Sequence, residues 1–285
     1  MIERDGYIPG VPCWVDTIQP DPEKAVDFYS NLFGWVFENV MPPEAPEPYH
    51  MARLRGGDVA AVAAVPEGAP PTALWRTYIW VDSAEDTAIK AAEAGGSVLV
   101  EPFQVGEDGK TAVIADPEGA SFNVWEAGQH LGARIVNEPG SLNFNSLNTR
   151  DSEAEKAFYG AVFNWATLAL GGSDEFWTLP GYADHIEEFD PGFKERMAES
   201  GVPGFEEVVA TLNRIPDGDT TPPHWSVTFA VEDADKTAGL ARELGATIVA
   251  EPFDAPWVRA TVITDPQGAT FTASQFVPEN AAPSS

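Results

Sequence analysis

The amino-acid sequence predicts an α+β protein of two tandem modules, each built from paired βαβββ units. Three observations predict it. First, the chain repeats itself. WVDTIQPDPEKAVDFYSNLFGW (14–35) returns as FNSLNTRDSEAEKAFYGAVFNW (144–165) at an offset of 130, and WRTYIWVDSAEDTA (75–88) returns as WSVTFAVEDADKTA (225–238) at an offset of 150. Second, helix-capping residues fall at matching points in both copies. Third, an Asp-Pro-x-Gly turn feeding an alternating segment closes each copy: DPEGASFNVWE from Asp116 and DPQGATFTASQ from Asp265.

Each copy opens on a short strand (11–18; 142–148). Asp-Pro-Glu or Asp-Ser-Glu then caps a helix (22–33; 152–163), in which Ala25, Phe28, Tyr29 and Leu32 recur at helical spacing. Alternation and turn residues predict strands near 48–54 and 58–65, and near 175–179 and 207–214. WRTYIWV and WSVTFAV are the next strands. A second helix (83–94; 233–244) stops at Gly95 or Gly245, the residue a helix C-terminus favours. Two closing strands form a hairpin across the Asp-Pro-x-Gly turn (98–125; 247–275). AGQHLGARIVNEPGS (127–141) joins the copies, so the modules divide as 1–130 and 131–285.

The jump in offset locates an insertion. Trp35 to Trp75 spans 40 residues and Trp165 to Trp225 spans 60, so the second copy carries 20 more, placed near 180–205. Asp190 followed by Pro191 reads as an N-cap and first helical residue, predicting a helix over 191–200. The stretch 171–222 holds 12 acidic and 3 basic residues, which suits either a solvated helix or a lid. The tail PENAAPSS reads as disordered.

The formal charge of −29 disfavours nucleic acid and anionic membrane as partners, because phosphate is repelled. It suits a strongly acidic soluble surface, or a field that attracts a cationic ligand. Cys13 is the single cysteine, which excludes an intramolecular disulfide and a thiolate metal cluster. MIERDGYIPG has no apolar run of a signal peptide, and no stretch is long enough to span a bilayer. The expectation is a cytoplasmic protein. Two modules in one chain make a monomer the simplest state.

Together, DPEKAVDFYSNLFGW, the strand leading into VDSAEDTAIKAAEAGG, and DPEGASFNVWE, each repeated, resemble the vicinal oxygen chelate superfamily (glyoxalase, bleomycin-resistance protein, extradiol dioxygenase). The resemblance covers roughly residues 10 to 277, and the linker is similar to that of its actinobacterial two-module branch. It implies cupped, partly open sheets, with modules paired so that each cup holds a small ligand. It also implies where metal-dependent members carry ligands: His or Gln on the first strand, His on the strand before the second helix, and Glu on the last strand. Carried over singly, these positions fall on Trp14 and Phe144, Arg76 and Ser226, and Asn123 and Thr272. None is a histidine, glutamine or carboxylate, so no metal or other cofactor is expected. The four histidines show no metal spacing. His50, His130 and His185 read most simply as structural or solvated, and His224 as a strand-edge or cup residue.

Period-2 alternation then extends the lining of each cup. The first gains Asp16, Tyr78, Trp80 and Trp125; the second gains Ser146 and Thr228, with Trp177 and Trp257 at its rim beside Phe176. Nine tryptophans are many for 285 residues. They serve either core packing or an aromatic cleft for a flat ligand. Asp16 either receives a cationic group or pairs with Arg76. The reading favoured on these grounds is a metal-independent protein that sequesters or carries an aromatic natural product or antibiotic, with or without a cationic amino group. Two alternatives stand beside it: a glyoxalase- or dioxygenase-like lyase or hydroxylase, with a carboxylate such as Asp16, Asp184 or Glu187 as base, and an accessory protein of a biosynthetic pathway. Enzymatic activity is left open.

Overall fold

A computed structural model describes residues 4–170, 175–199 and 202–280. The first copy runs β1 (Pro12–Gln19), α1 (Pro22–Phe33), β2 (Val36–Asn39), β3 (Tyr49–Leu54), β4 (Gly57–Ala64), β5 (Leu74–Trp80), α2 (Ala84–Glu93), β6 (Ser97–Val105), β7 (Gly109–Ala115) and β8 (Ser121–Ala127). The second runs β9 (Leu142–Thr149), α3 (Ser152–Phe163), β10 (Ala166–Ala169), β11 (Glu175–Thr178), α4 (Tyr182–Phe189), α5 (Phe193–Glu199), β12 (Val208–Arg214), β13 (His224–Ala230), α6 (Ala234–Glu243), β14 (Thr247–Ala255), β15 (Val258–Thr264) and β16 (Thr270–Phe276). Each copy forms an eight-stranded mixed sheet. The orders, β2-β3-β4-β1-β5-β8-β7-β6 and β10-β11-β12-β9-β13-β16-β15-β14, are the same once eight is added to each number. The pairs β1/β4, β5/β8, β9/β12 and β13/β16 are parallel.

The capping residues act as their sequence suggests. The Asp21 and Asp151 carboxylates accept the backbone N–H of Lys24 and Ala154, three residues on, and Ser83 and Asp233 do the same at α2 and α6.

The chain folds into two compact units that cut across the copies. Unit one comprises Met1–Trp14, Thr77–Gly132 and Phe144–Trp225; unit two comprises Val15–Arg76, Ala133–Asn143 and Ser226–Ser285. Each is therefore half of one copy and half of the other. In unit two, α1 brings Tyr29 and Phe33 against Trp35, Trp75, Phe229 and Phe271, with ring centroids 4.9–6.5 Å apart. Unit one repeats this with Tyr159, Phe163, Trp165, Trp177, Trp225 and Phe122. Five of the tryptophans are thus spent on core, where large flat rings remove the most apolar area from water.

A polar chain runs through each core. Tyr29 Oη donates to Asp265 Oδ2 at 2.8 Å and accepts from Trp75 Nε1 at 3.2 Å. Gln19 Nε2 also donates to Asp265 Oδ2, at 2.7 Å. The other carboxylate oxygen accepts the N–H groups of Gln267, Gly268 and Ala269, which closes the Asp-Pro-x-Gly turn. In unit one, Tyr159 Oη donates to Asp116 Oδ2 at 3.0 Å and accepts from Trp225 Nε1 at 2.9 Å. The aspartate of each turn is held by the tyrosine of the other copy.

Four expectations change. Short strands β2 and β10 are added at the sheet edges. The closing segment holds three strands, because 98–115 turns back at 106–108 into β6 and β7. The insertion contains two helices. Asp190 ends the first of them, its N–H donating to Ile186 and its carboxylate pairing with Arg196, and α5 begins at Phe193. The first insertion helix is also docked: Tyr182, Ala183 and Ile186 are buried, and the buried Arg4 guanidinium donates to Tyr182 Oη at 2.8 Å. Of the tail read as disordered, Pro278–Asn280 forms a helical turn, and 281–285 lie outside the described residues. Among the described residues no helix is long and apolar enough to cross a membrane.

Two outcomes are expected. Tyr29→Phe and Tyr159→Phe each leave a buried aspartate short of a donor, so each lowers unfolding free energy by about 1–3 kcal/mol in urea titrations. The second concerns Glu155, which stands on α3 where the first copy has Ala25. Its carboxyl is fully buried next to Asp116; burial first, and the Asp116 charge second, push its pKa up to about 8. An unfolded glutamate titrates near ~4.3. Between those values the folded chain keeps a proton that the unfolded chain releases, so this group makes stability fall as pH rises through the interval and level off above it. Glu155→Gln should flatten that fall. An unchanged slope in urea midpoints measured from acid to mildly alkaline pH contradicts the assignment.

Candidate ligand-binding faces

Strand alternation decides which side chains remain for a ligand. On β8, Phe122 packs on Phe158, Tyr159 and Phe163 of α3, so Ser121, Asn123 and Trp125 project from the other face. On β16, Phe271 packs on Tyr29 and Phe33 of α1, so Thr270, Thr272 and Ser274 do likewise.

In unit one this face gathers the predicted first-copy aromatics. Tyr78 lies in register with Asn123, and Trp80 with Trp125. The Tyr78 and Trp125 rings meet edge-on at 6.3 Å. Trp14 and Trp125 both approach His130 of the linker, at 4.5 and 5.8 Å. The group is closed to solvent: Trp14, Tyr78, Asn123 and Trp125 are 2%, 7%, 3% and 6% exposed. Trp80 is half-buried and meets Tyr7 at 6.0 Å. Asp16 and Arg76 belong to unit two, where the plain structural alternative holds. The guanidinium donates twice to the fully buried Asp16 carboxylate, at 2.7 and 2.6 Å, and Tyr49 Oη adds a third bond at 3.2 Å. Such a charge-assisted fork satisfies the carboxylate within the protein.

The second-copy positions differ. In unit two, Ser226 and Thr228 on β13 and Thr272 on β16 are half-buried. Thr228 stands opposite Thr272, which stands opposite Val262 on β15. Ser274 and Thr228 occupy the places of Trp125 and Tyr78, so this face carries hydroxyls where the first copy carries rings. In unit one, Phe144 is half-buried and Ser146 Oγ accepts a hydrogen bond from Thr211 Oγ1. Trp177 is corrected: it is fully buried, with its ring 5.3 Å from both Tyr159 and Trp165, because β11 turns it toward α3. Phe176, its neighbour, takes the opposite face against Phe205. Trp257 sits at the tip of the β14–β15 hairpin with φ +59°, its backbone tied to Asn280 and Val277.

Two residues were missed. Phe103 pairs in register with Thr111, which pairs with Trp125; Phe253 pairs with Ala260, which pairs with Ser274. Both phenylalanines therefore share the face of Trp125 and Ser274, turned away from the helices, and they are 47% and 44% exposed. Their signal was the repeated Glu-Pro-Phe. A separate groove of about 540 Å³ in unit one runs past Asp82 and the α2 N-cap Ser83, past Asp86 and Lys90 of α2, and past Asn164 after α3.

The donor set does not fit the metal of metal-dependent members. The positions hold indole, guanidinium and amide in one copy, and phenyl and two hydroxyls in the other. The Arg76 cation opposes a divalent ion, and no group of three or more His, Cys, Asp or Glu side chains is arranged to hold one among the described residues.

Comparison with known proteins agrees with this architecture. Residues 14–124 match the model of the Glyoxalase/Bleomycin resistance protein/Dioxygenase superfamily, and residues 145–274 match that of the Glyoxalase-like domain. The chain is 36% identical over 282 residues to "Putative glyoxylase CFP32" of Mycobacterium tuberculosis (strain CDC 1551 / Oshkosh), covering 98% of this chain and 100% of that protein. It is 34% identical over 283 residues to "Anthracycline biosynthesis protein DnrV" of Streptomyces peucetius, covering 95% and 94%. The solved 2,3-dioxygenase LapB from Pseudomonas sp. KL28 shares the fold with a TM-score of 0.60 at 11% identity, over 94% of this chain and 93% of that one. The chain belongs to the glyoxalase/bleomycin resistance protein/dioxygenase superfamily, one module to each copy.

Proposed function

We propose that the chain is a metal-independent binding protein for a flat aromatic natural product, acting as an accessory or carrier in that product's biosynthesis or sequestration. One observation carries the reading. The unit-two face keeps half-buried hydroxyls at Thr228 and Thr272, with Phe253 exposed on the same sheet face, and Thr228 and Ser274 stand where the first copy has the rings of Tyr78 and Trp125. Hydroxyls donate and accept without charge, so they orient quinone and phenol oxygens, while Phe253 offers a ring to stack on. Support comes from the relative named for anthracycline biosynthesis, since anthracyclines are planar, oxygen-rich polycycles. The charge of −29 favours approach of a ligand bearing an amino sugar.

The test is a titration with an anthracycline and, separately, its aglycone, followed by the ligand's own fluorescence. Saturable binding is expected, weakened at least roughly tenfold by Thr228→Trp, which fills the face. Failure of both ligands to bind more tightly than about 1 mM, worth only about −4 kcal/mol, rejects the proposal. Metal independence is tested apart. Elemental analysis of the purified protein should find iron, manganese, nickel and zinc below stoichiometry, and chelator should leave binding unchanged. A stoichiometric metal whose removal abolishes binding overturns that part.

A further inference from the structure

We propose that the first-copy face is itself a ligand cleft, for a small flat heteroaromatic ring, and that the chain keeps it occupied with the imidazole of His130. The argument starts from the strap that carries this residue, Gly128-Gln129-His130-Leu131-Gly132. Three of its N–H groups are committed to the β6–β7 turn: Gly128 and His130 donate to Asp108 O at 2.8 and 3.1 Å, and Gln129 donates to Glu107 O at 3.0 Å. The two glycines allow this seating. A Cβ on Gly128 would lie 2.4 Å from Glu107 O, and one on Gly132 would lie 2.6 Å from Cys13 O, at a φ of +82°. The strap is thus clamped at both ends onto unit one, with His130 between the clamps.

The imidazole is directed at the aromatic wall. It stands edge-on to Trp14 at 4.5 Å and 81°, and to Trp125 at 5.8 Å and 71°, geometries that aromatic pairs favour. Trp125 Nε1 donates to the His130 carbonyl at 2.9 Å, which fixes the indole toward the strap. Tyr78 meets Trp125 from the strand side. A heteroaromatic ring is thus set against Trp14 and Trp125, on the face equivalent to the one where the second copy exposes hydroxyls. The second copy has no equivalent ring: the residue 149 positions after His130 is Glu279, which is exposed. This inference does not depend on the proposed ligand of the second copy, because it concerns different residues and a different probe.

The test removes the internal ring and offers it back. His130→Ala in the full-length chain should lower the thermal midpoint. Added imidazole should restore much of that loss, with a saturable change in indole emission at millimolar concentration, since few atoms are bound (about −4 kcal/mol at 1 mM). The wild type and His130→Phe, which retains a ring, should show neither response. A folded His130→Ala protein whose midpoint and emission respond to imidazole no more than the wild type overturns the proposal. Should His130→Ala fail to fold, refolding in imidazole decides: recovery of soluble protein supports the cleft, and no recovery while His130→Phe folds normally counts against it.

Discussion

The hydroxyl of a buried tyrosine, held between a carboxylate and an indole, is the contact on which the rest depends. Tyr29 and Tyr159 each donate to the aspartate of an Asp-Pro-x-Gly turn and accept from a tryptophan at the start of a central strand. The aspartate is buried, and side-chain donors together with turn N–H groups satisfy its carboxylate. Because helix and turn come from different copies, the bond sets which half-copies share a core. Aromatic packing then follows from that pairing.

The same alternation that builds the cores frees the other face of each sheet. Phe122 and Phe271 must remain large because they meet α3 and α1. Their neighbours Asn123 and Thr272 carry no such constraint, and the copies diverge there. Trp125 and Tyr78 in one copy answer to Ser274 and Thr228 in the other. The scaffold keeps the tyrosine, aspartate and tryptophan chain in both copies, whereas the face turned away from the helices differs between them.

Much of the fold was legible because it is specified locally. The boundaries of α1 and α3 follow from Asp21, Pro22 and Asp151, and the repeat converted each element into two independent readings. Strands β2 and β10 escaped because they span only four residues and are mostly exposed, so alternation leaves little trace. Asp190 misled because aspartate before proline suits an N-cap locally, whereas Arg196 and the end of α4 use it otherwise. For the faces, the alternation of Trp14, Tyr78, Asn123 and Trp125 was readable. What covers them was not, since the approach of His130 depends on a turn more than twenty residues earlier in the chain. Trp177 looked like a rim residue because its strand is too short to declare which face is buried. Phe103 and Phe253 were visible as a repeated motif, but only register showed their side.

The intermixing of the copies bears on how such a chain arises. A lone first copy carries Tyr29 without Asp265, and Asp116 without Tyr159. Each copy therefore depends on a second one to complete its buried hydrogen bonds. Fusion of two genes removes the need for the mates to be identical. From that point the two halves can diverge where no helix is met, as Tyr78 and Trp125 do from Thr228 and Ser274.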